Sequence, residues 1–137
     1  MDVNHTFPLP EEISEGWGLT HISVNGSDLL LISDGSDKIF FVDPDTFKVT
    51  KTLKVIDENE RPIRHLNELE VVNGTLLANV YLTNKIVAID LNNGKIKKSL
   101  NFDSLVKEVR TSKIFQDRSY DTSYCLNGIA YNPNTDM

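Results

Sequence analysis

Leu29 to Val55 reads LLLISDGSDKIFFVDPDTFKVTKTLKV, and the same design returns without a gap at Leu76 to Phe102 as LLANVYLTNKIVAIDLNNGKIKKSLNF. Superposing the two stretches pairs Leu29 with Leu76, Lys38 with Lys85, Ile39 with Ile86, Asp43 with Asp90, Lys48 with Lys95, Val49 with Ile96 and Leu53 with Leu100. The period is then 47 residues (76 minus 29). Each copy reads as three short strands rich in Val, Ile, Leu and Phe. They are broken by turn-forming residues, Asp34-Gly35-Ser36-Asp37 and Asp43-Pro44-Asp45 in the first copy, Thr83-Asn84 and Leu91-Asn92-Asn93-Gly94 in the second. With one more strand before each copy the unit becomes a four-stranded meander. A repeat of about 40 to 50 residues holding four strands is the signature of a β-propeller blade, which must stack on neighbours because it cannot bury both faces alone.

The expected fold class is therefore all-β: a β-propeller segment of about two four-stranded blades plus the first strand of a third, with one short helix in an inter-blade insertion. The first blade spans 15–56, entered through Glu15-Gly16-Trp17-Gly18-Leu19-Thr20 and turning at Asn25-Gly26. The polar stretch Asp57 to Arg64, with Pro62, connects it to the second blade at 66–102, which turns at Asn73-Gly74. Phe102, Leu105, Val106 and Val109 fall at helical spacing behind an N-cap at Asp103, which predicts a helix over Ser104 to Arg110 within an insertion at 103–123. Residues 124–137 open the next blade, with Leu126 to Tyr131 as its inner strand. Met1 to Ser14, with Pro8 and Pro10, reads as an extended lead-in, with the outer strand of a preceding blade as an alternative. A propeller needs at least four blades. The 137 residues are expected to be the middle of a longer protein, or to associate as copies, and to be inactive and prone to association alone.

Fourteen Lys and Arg against 20 Asp and Glu, with the basic residues scattered, argue against nucleic acid or an anionic membrane as partner. The longest apolar run, Leu29 to Ile32, is far short of a membrane span, and the first ten residues lack the pattern of a signal peptide. Cys125 stands alone, which rules out an intramolecular disulfide and a cysteine-based zinc site, and its setting reads as a small buried strand residue. His5, His21 and His65 lack zinc-ligand spacing, so no metal and no cofactor is expected. Asn-X-Ser/Thr sequons at Asn4, Asn25 and Asn73 lean towards a secretory route, with the localisation otherwise unknown.

Aligning the three inner strands on Leu19, Leu69 and Ile129 puts Trp17, Asn67 and Asn127 two residues before each anchor, at one mouth of the central channel. The competing reading packs Trp17 between blades and uses the asparagines as turn caps. Tyr81, fourteen residues after Asn67, is expected to rise on the same side, or to pack between sheets. Glu68 and Glu70 flank Leu69 about 6–7 Å apart, a separation that any alternating strand produces. Glu70 therefore reads as an ordinary hydrogen-bonding residue, and Glu68 as a supporting neighbour of Asn67. Asp34 to Asp37 reads as a hairpin turn rather than a cation loop.

At these residues the sequence resembles the glutaminyl cyclases of the plant and bacterial type, the glutamine cyclotransferases, which are five-bladed β-propellers. The matching motifs are Glu15 to Thr20, Ser33-Asp34-Gly35-Ser36, Leu66-Asn67-Glu68-Leu69-Glu70, Ala78-Asn79-Val80-Tyr81 and Leu126 to Tyr131, in family order and at family spacing. The resemblance implies that Trp17 lines a substrate pocket, that Asn67 is the active-site asparagine, and that Tyr81 replaces a second tryptophan. It also implies that the family's catalytic glutamate belongs before Met1 and its lysine motif after Met137. The implied reaction is cyclisation of an N-terminal glutamine of a peptide or protein to pyroglutamate with loss of ammonia. Two other readings stay open: a non-catalytic propeller module that binds a peptide or partner, and a sugar- or lactone-processing propeller using Glu68 and Glu70 or calcium.

Overall fold

The computed structural model describes residues 6–111 and 125–135. Among these residues, eight strands form two sheets of the same plan. The first sheet runs β1 (Gly18–Val24), β2 (Ser27–Ser33), β3 (Lys38–Val42) and β4 (Val49–Lys54), and the second β5 (Leu66–Val72), β6 (Thr75–Val80), β7 (Lys85–Asp90) and β8 (Ile96–Asn101). Every neighbouring pair is antiparallel and consecutive in sequence, so each sheet is a meander. The Asn-Gly pairs make the tight hairpins: Asn25 and Gly26 have φ of 52° and 81°, Asn73 and Gly74 of 47° and 74°. Two consecutive positive φ values match the right-handed twist of the flanking strands, and asparagine and glycine reach them most easily. The outer hairpins turn on Asp43 and Asp90. Asp43 accepts the N–H groups of Asp45 and Thr46, and Asp90 accepts that of Asn92.

The two sheets lie face to face over one apolar layer. Leu31, Ile39, Phe41, Leu53 and Val55 of the first meet Leu66, Leu69, Leu76, Ala78, Val87 and Ile89 of the second. Seven of them have no accessible surface at all: Leu31, Ile39, Val55, Leu66, Leu76, Ala78 and Ile89. At about 1.5–3 kcal/mol for each fully buried side chain of this size, the layer is the main source of stability in the chain. Its outer edge is stitched by backbone. Ile56 donates to the Gly94 carbonyl (3.0 Å) and accepts from the Ile96 N–H (3.1 Å), carrying the first blade onto the start of β8. The opposite face of the first sheet carries Ile32, Phe40 and Val42, closed by Ile13.

Several expectations change here. The ungapped repeat holds for β3 and β4, where Lys38 matches Lys85, but not for the first hairpin, where Val24-Asn25-Gly26-Ser27 matches Val72-Asn73-Gly74-Thr75 at an offset of 48 (72 minus 24). One residue of offset inverts a strand. Leu29 and Leu31 face the second sheet, while Leu76 and Ala78 face back towards the first. Counted through the β2–β3 and β6–β7 ladders, Leu31, opposite Phe41, corresponds to Leu77, opposite Ala88. The row Leu29, Leu31, Ile39 and Phe41 is covered by the second blade.

The described part of the lead-in, 6–14, forms no strand. It supplies Ile13, 4% exposed, as a plug, and Phe7, stacked on Phe47 with ring centroids 4.2 Å apart. The helix is present as α1 (Asp103–Thr111). Residues 125–132, part of the stretch 124–137 expected to open a third blade, run without a ladder. They still touch the second blade, since the Tyr131 N–H donates to Glu70 Oε1 at 3.1 Å. Cys125 is half-buried outside any strand. The remainder of the expected insertion, Ser112 to Ser123, lies outside the described residues, as do Tyr124, Asn4 and His5.

Gly94 sets the closest approach between the blades. It has φ +75°, and a Cβ there would stand 2.0 Å from the Lys54 carbonyl oxygen. Gly94→Ala combines left-handed strain with a backbone clash, and should lower unfolding free energy by about 2–3 kcal/mol in urea titration.

A second expectation concerns acid. Four carboxyls sit below the ordinary range: Asp43 through the Thr46 N–H, Asp57 through the Arg61 N–H, Asp90 through the Asn92 N–H, and Asp103 through the Asn84 side-chain amide. A carboxyl whose pKa is lowered by folding contributes stability above its unfolded pKa and loses it as pH falls through the folded value. Melting temperature should therefore drop between about pH 5 and pH 3, and Asp57→Asn should flatten that drop.

Candidate active site

The first turn of each inner strand, the β2–β3 loop and the end of β6 meet at one end of the paired sheets. Trp17 stands just before β1, its N–H donating to the Ser33 carbonyl at 3.0 Å. Gly18 follows, buried, with its N–H on Ser33 Oγ at 2.9 Å. The same hydroxyl donates to the Asn67 carbonyl at 2.7 Å, so one buried serine ties β1, β2 and β5 together. The blades are close enough there that a Cβ on Gly18 would lie 2.2 Å from the Asn67 oxygen. Only glycine allows this contact.

Asn67 owes its position to a β-bulge. Leu66 pairs with Val80 and Leu69 with Ala78, so Asn67 and Glu68 together face the single residue Asn79. The extra residue keeps Leu66 and Leu69 both on the core face and re-aims what lies between them. Asn67 is 8% exposed, and its carboxamide makes no hydrogen bond among the described residues. Tyr81 stands just past β6, its ring meeting the indole of Trp17 edge-on, with centroids 5.3 Å apart and planes at 74°. Both rings are half-buried, so the pair presents an aromatic corner with an open side. Gly35, at φ +77°, lies against the indole: a Cβ there would stand 2.7 Å from it.

The comparisons with known proteins place this arrangement. A family model described as glutamine cyclotransferase matches residues 4–137. The chain belongs to the glutamine cyclotransferase family. It is 32% identical over 124 residues to a glutaminyl-peptide cyclotransferase of Arabidopsis thaliana, covering 90% of this chain and 35% of that protein. It also superposes on the crystal structure of the Myxococcus xanthus glutaminyl cyclase with a TM-score of 0.75 and 29% identity, over 90% of this chain and 48% of that one. The chain thus spans about a third to a half of the length of these relatives. The structural likeness makes the two sheets consecutive blades of a β-propeller.

Of the residues singled out from sequence, Trp17 and Tyr81 are in direct contact, and Asn67 is joined to Trp17 through Gly18 and Ser33. Leu19 and Leu69 hold the same ladder position: Leu19 pairs with Ile32, opposite Phe40, and Leu69 with Ala78, opposite Val87, which is the residue 47 after Phe40 (87 minus 40). Counting back from them, the bulge Asn67-Glu68 faces Asn79 where Gly18 pairs with Ser33. Glu68 is half-buried beside Asn67 and makes no hydrogen bond or ion pair among the described residues. Glu70 does what was expected of it and accepts a hydrogen bond. Asn127 is exposed, with its carboxamide oxygen on the Gly128 N–H at 3.0 Å, which is the turn-capping geometry.

Asp34 to Asp37 form the β2–β3 turn, with the Ser36 N–H on Asp34 Oδ1. A groove of about 440 Å³ opens elsewhere, over Ile63, Val80, Val87 and Ile96 with Lys85 and Lys97 at its rim. It contains none of Trp17, Asn67 and Tyr81, and is the outer edge of the inter-blade layer.

Sequence reasoning overlooked Ser33, Gly18 and Gly35 as builders of the site, although all three lie in motifs it quoted. It also overlooked Asn79, 1% exposed, with neither carboxamide atom hydrogen-bonded among the described residues. Ser33→Ala removes one hydroxyl and strands two buried backbone groups, the Gly18 N–H and the Asn67 carbonyl. It should cost about 2 kcal/mol by urea denaturation, whereas Ser36→Ala, in the exposed part of the same turn, should cost well under 1 kcal/mol.

Proposed function

We propose that this chain supplies the aromatic corner and the asparagine of a glutaminyl-peptide cyclotransferase, which converts an N-terminal glutamine of a peptide or protein to pyroglutamate. The observation that carries this reading is the edge-on contact of Trp17 with Tyr81, next to Asn67 on its bulge. A glutamine side chain offers a flat carboxamide on a short apolar stem. Two half-open aromatic faces can hold the stem and exclude water, and an unpaired carboxamide can donate to an oxygen.

In the reaction the neutral α-amine nitrogen attacks the side-chain carboxamide carbon, and the new C–N bond closes a five-membered ring. The carbonyl oxygen gains negative charge in the tetrahedral intermediate. The C–N bond to the original amide nitrogen then breaks, and ammonia leaves with a proton that came from the amine. An α-amine titrates near pH 8, so a large fraction is already neutral at physiological pH. The base need only move the last proton across. Asn67 is suited to the oxyanion, because its Nδ2–H groups are held by backbone that Ser33 and Gly18 fix in place. The resemblance puts the shuttling glutamate outside these residues. A secretory route is part of the proposal, supported by the sequons at Asn25 and Asn73, both on exposed hairpin tips.

The test is ammonia release from a glutamine-initiated peptide by the chain expressed with its native flanking sequence. Asn67→Ala should lower kcat about a hundredfold, or about 3 kcal/mol, with KM changed little and the melting curve unmoved. Peptide binding without ammonia release by the wild type would instead make this a non-catalytic binding module.

A further inference from the structure

Trp17, Gly35, His65 and Tyr81 form a closed circuit. The Trp17 indole rests on Gly35, whose carbonyl accepts the His65 N–H at 2.8 Å. The His65 carbonyl accepts the Tyr81 N–H, also at 2.8 Å, and the Tyr81 ring returns to Trp17. His65 closes this circuit in a left-handed conformation, φ 62°, although it is not glycine. Leu82, next to Tyr81, is left-handed too, at φ 60°. Left-handed backbone outside glycine and asparagine is uncommon, and it persists where surrounding structure over-determines it. Two of the six non-glycine residues with positive φ among the described residues thus bracket one side chain, Tyr81.

The geometry points to His65 as a positioning residue. Through its backbone alone, it sets the distance and angle between Trp17 and Tyr81, and with them the width of the aromatic corner. A residue at this place in ordinary β conformation would send its N–H and C=O in other directions. The first blade would lose its tie at Gly35, and Tyr81 its tie at the start of β5. The inference deepens the proposed function, since it concerns the same pocket, but its physical part stands without that reading.

Trp17 is the only tryptophan in the chain, so its fluorescence reports the corner directly. The experiment compares His65→Gly, His65→Asn, His65→Ala and His65→Val in the 137-residue chain, by emission maximum, acrylamide quenching and far-ultraviolet circular dichroism. Glycine and asparagine adopt left-handed backbone readily, alanine poorly and valine worst. The expected result is that the glycine and asparagine variants match wild type, while alanine and then valine shift the emission to the red and raise quenching. Should the valine variant not fold, the glycine and alanine variants carry the comparison. In turnover of a glutamine-initiated peptide by the protein with its flanking sequence, His65→Ala should raise KM about tenfold with kcat nearly kept, and His65→Gly should restore KM.

Equal disruption by glycine and valine would overturn the inference by showing that the imidazole itself is needed, and wild-type emission in both alanine and valine variants would overturn it outright. A fluorescence series in the expected order, with no turnover of the glutamine peptide by wild type, would leave the positioning role intact and remove the functional reading.

Discussion

A sheet with two apolar faces cannot stand alone, and this chain resolves the problem by laying one blade on the next. The contact governs everything else because it fixes how near the two inner strands can come. At the outer edge the distance is set by Gly94 against the Lys54 carbonyl, and at the inner end by Gly18 against the Asn67 carbonyl. Between these two points the apolar layer fills the space with Leu, Ile, Val and Phe in register. The candidate site sits at the inner end of the same interface. Its asparagine and its tryptophan come from different blades, so their separation follows from packing that has nothing chemical about it.

The blade plan was legible because it rests on signals one or two residues long. Asn25-Gly26 and Asn73-Gly74 can hardly be anything but tight hairpins, and the eight expected strands are all present. What the sequence hid was register. The strongest visual match, Leu-Leu at 29–30 against Leu-Leu at 76–77, is one residue wrong, and a strand gives no warning of such an error because apolar residues occupy both of its faces here. The bulge at Asn67-Glu68 was hidden for the same reason. A bulge adds one residue without changing composition, so counting back from Leu19 and Leu69, which hold the same ladder position, gives no sign that Asn67 shares its place opposite Asn79 with Glu68.

The grouping of the candidate residues was half legible. Aromatic and amide residues at strand ends announce themselves by type, which is how Trp17, Asn67 and Tyr81 were singled out. The residues that hold them do not. Ser33 reads as one polar residue in a turn, and nothing in Ser-Asp-Gly-Ser says that its hydroxyl will be buried with a bond to each of two strands. Gly35 reads as a turn glycine and serves as one, yet the absence of its side chain is also what gives the indole a surface to rest on. His65 looked like a histidine to be tested for metal spacing, when the notable thing about it is a backbone angle.

Asn79 shows how far the logic of stacked faces extends. Its counterpart in the first blade is Ser33, which stands opposite Ile39 as Asn79 stands opposite Ile86, and whose hydroxyl crosses to the Asn67 carbonyl of the second blade. Alternation along β6 turns Asn79 to the other face of the second blade, alongside Leu77, away from the layer that holds Leu76 and Ala78. An amide at a place where the preceding blade has a serine calls for the same kind of polar tie, because burying a carboxamide with no partner costs about 1–3 kcal/mol. Where the Ser33 hydroxyl accepts from Gly18 and donates to Asn67 across its interface, the Asn79 carboxamide asks its own neighbour for a donor and an acceptor. Glu70, on the same face, already draws a backbone N–H from Tyr131 in the segment that follows. Blades that share a plan thus also share the place at which a buried polar group reaches across to the next blade, and differ in which group they put there.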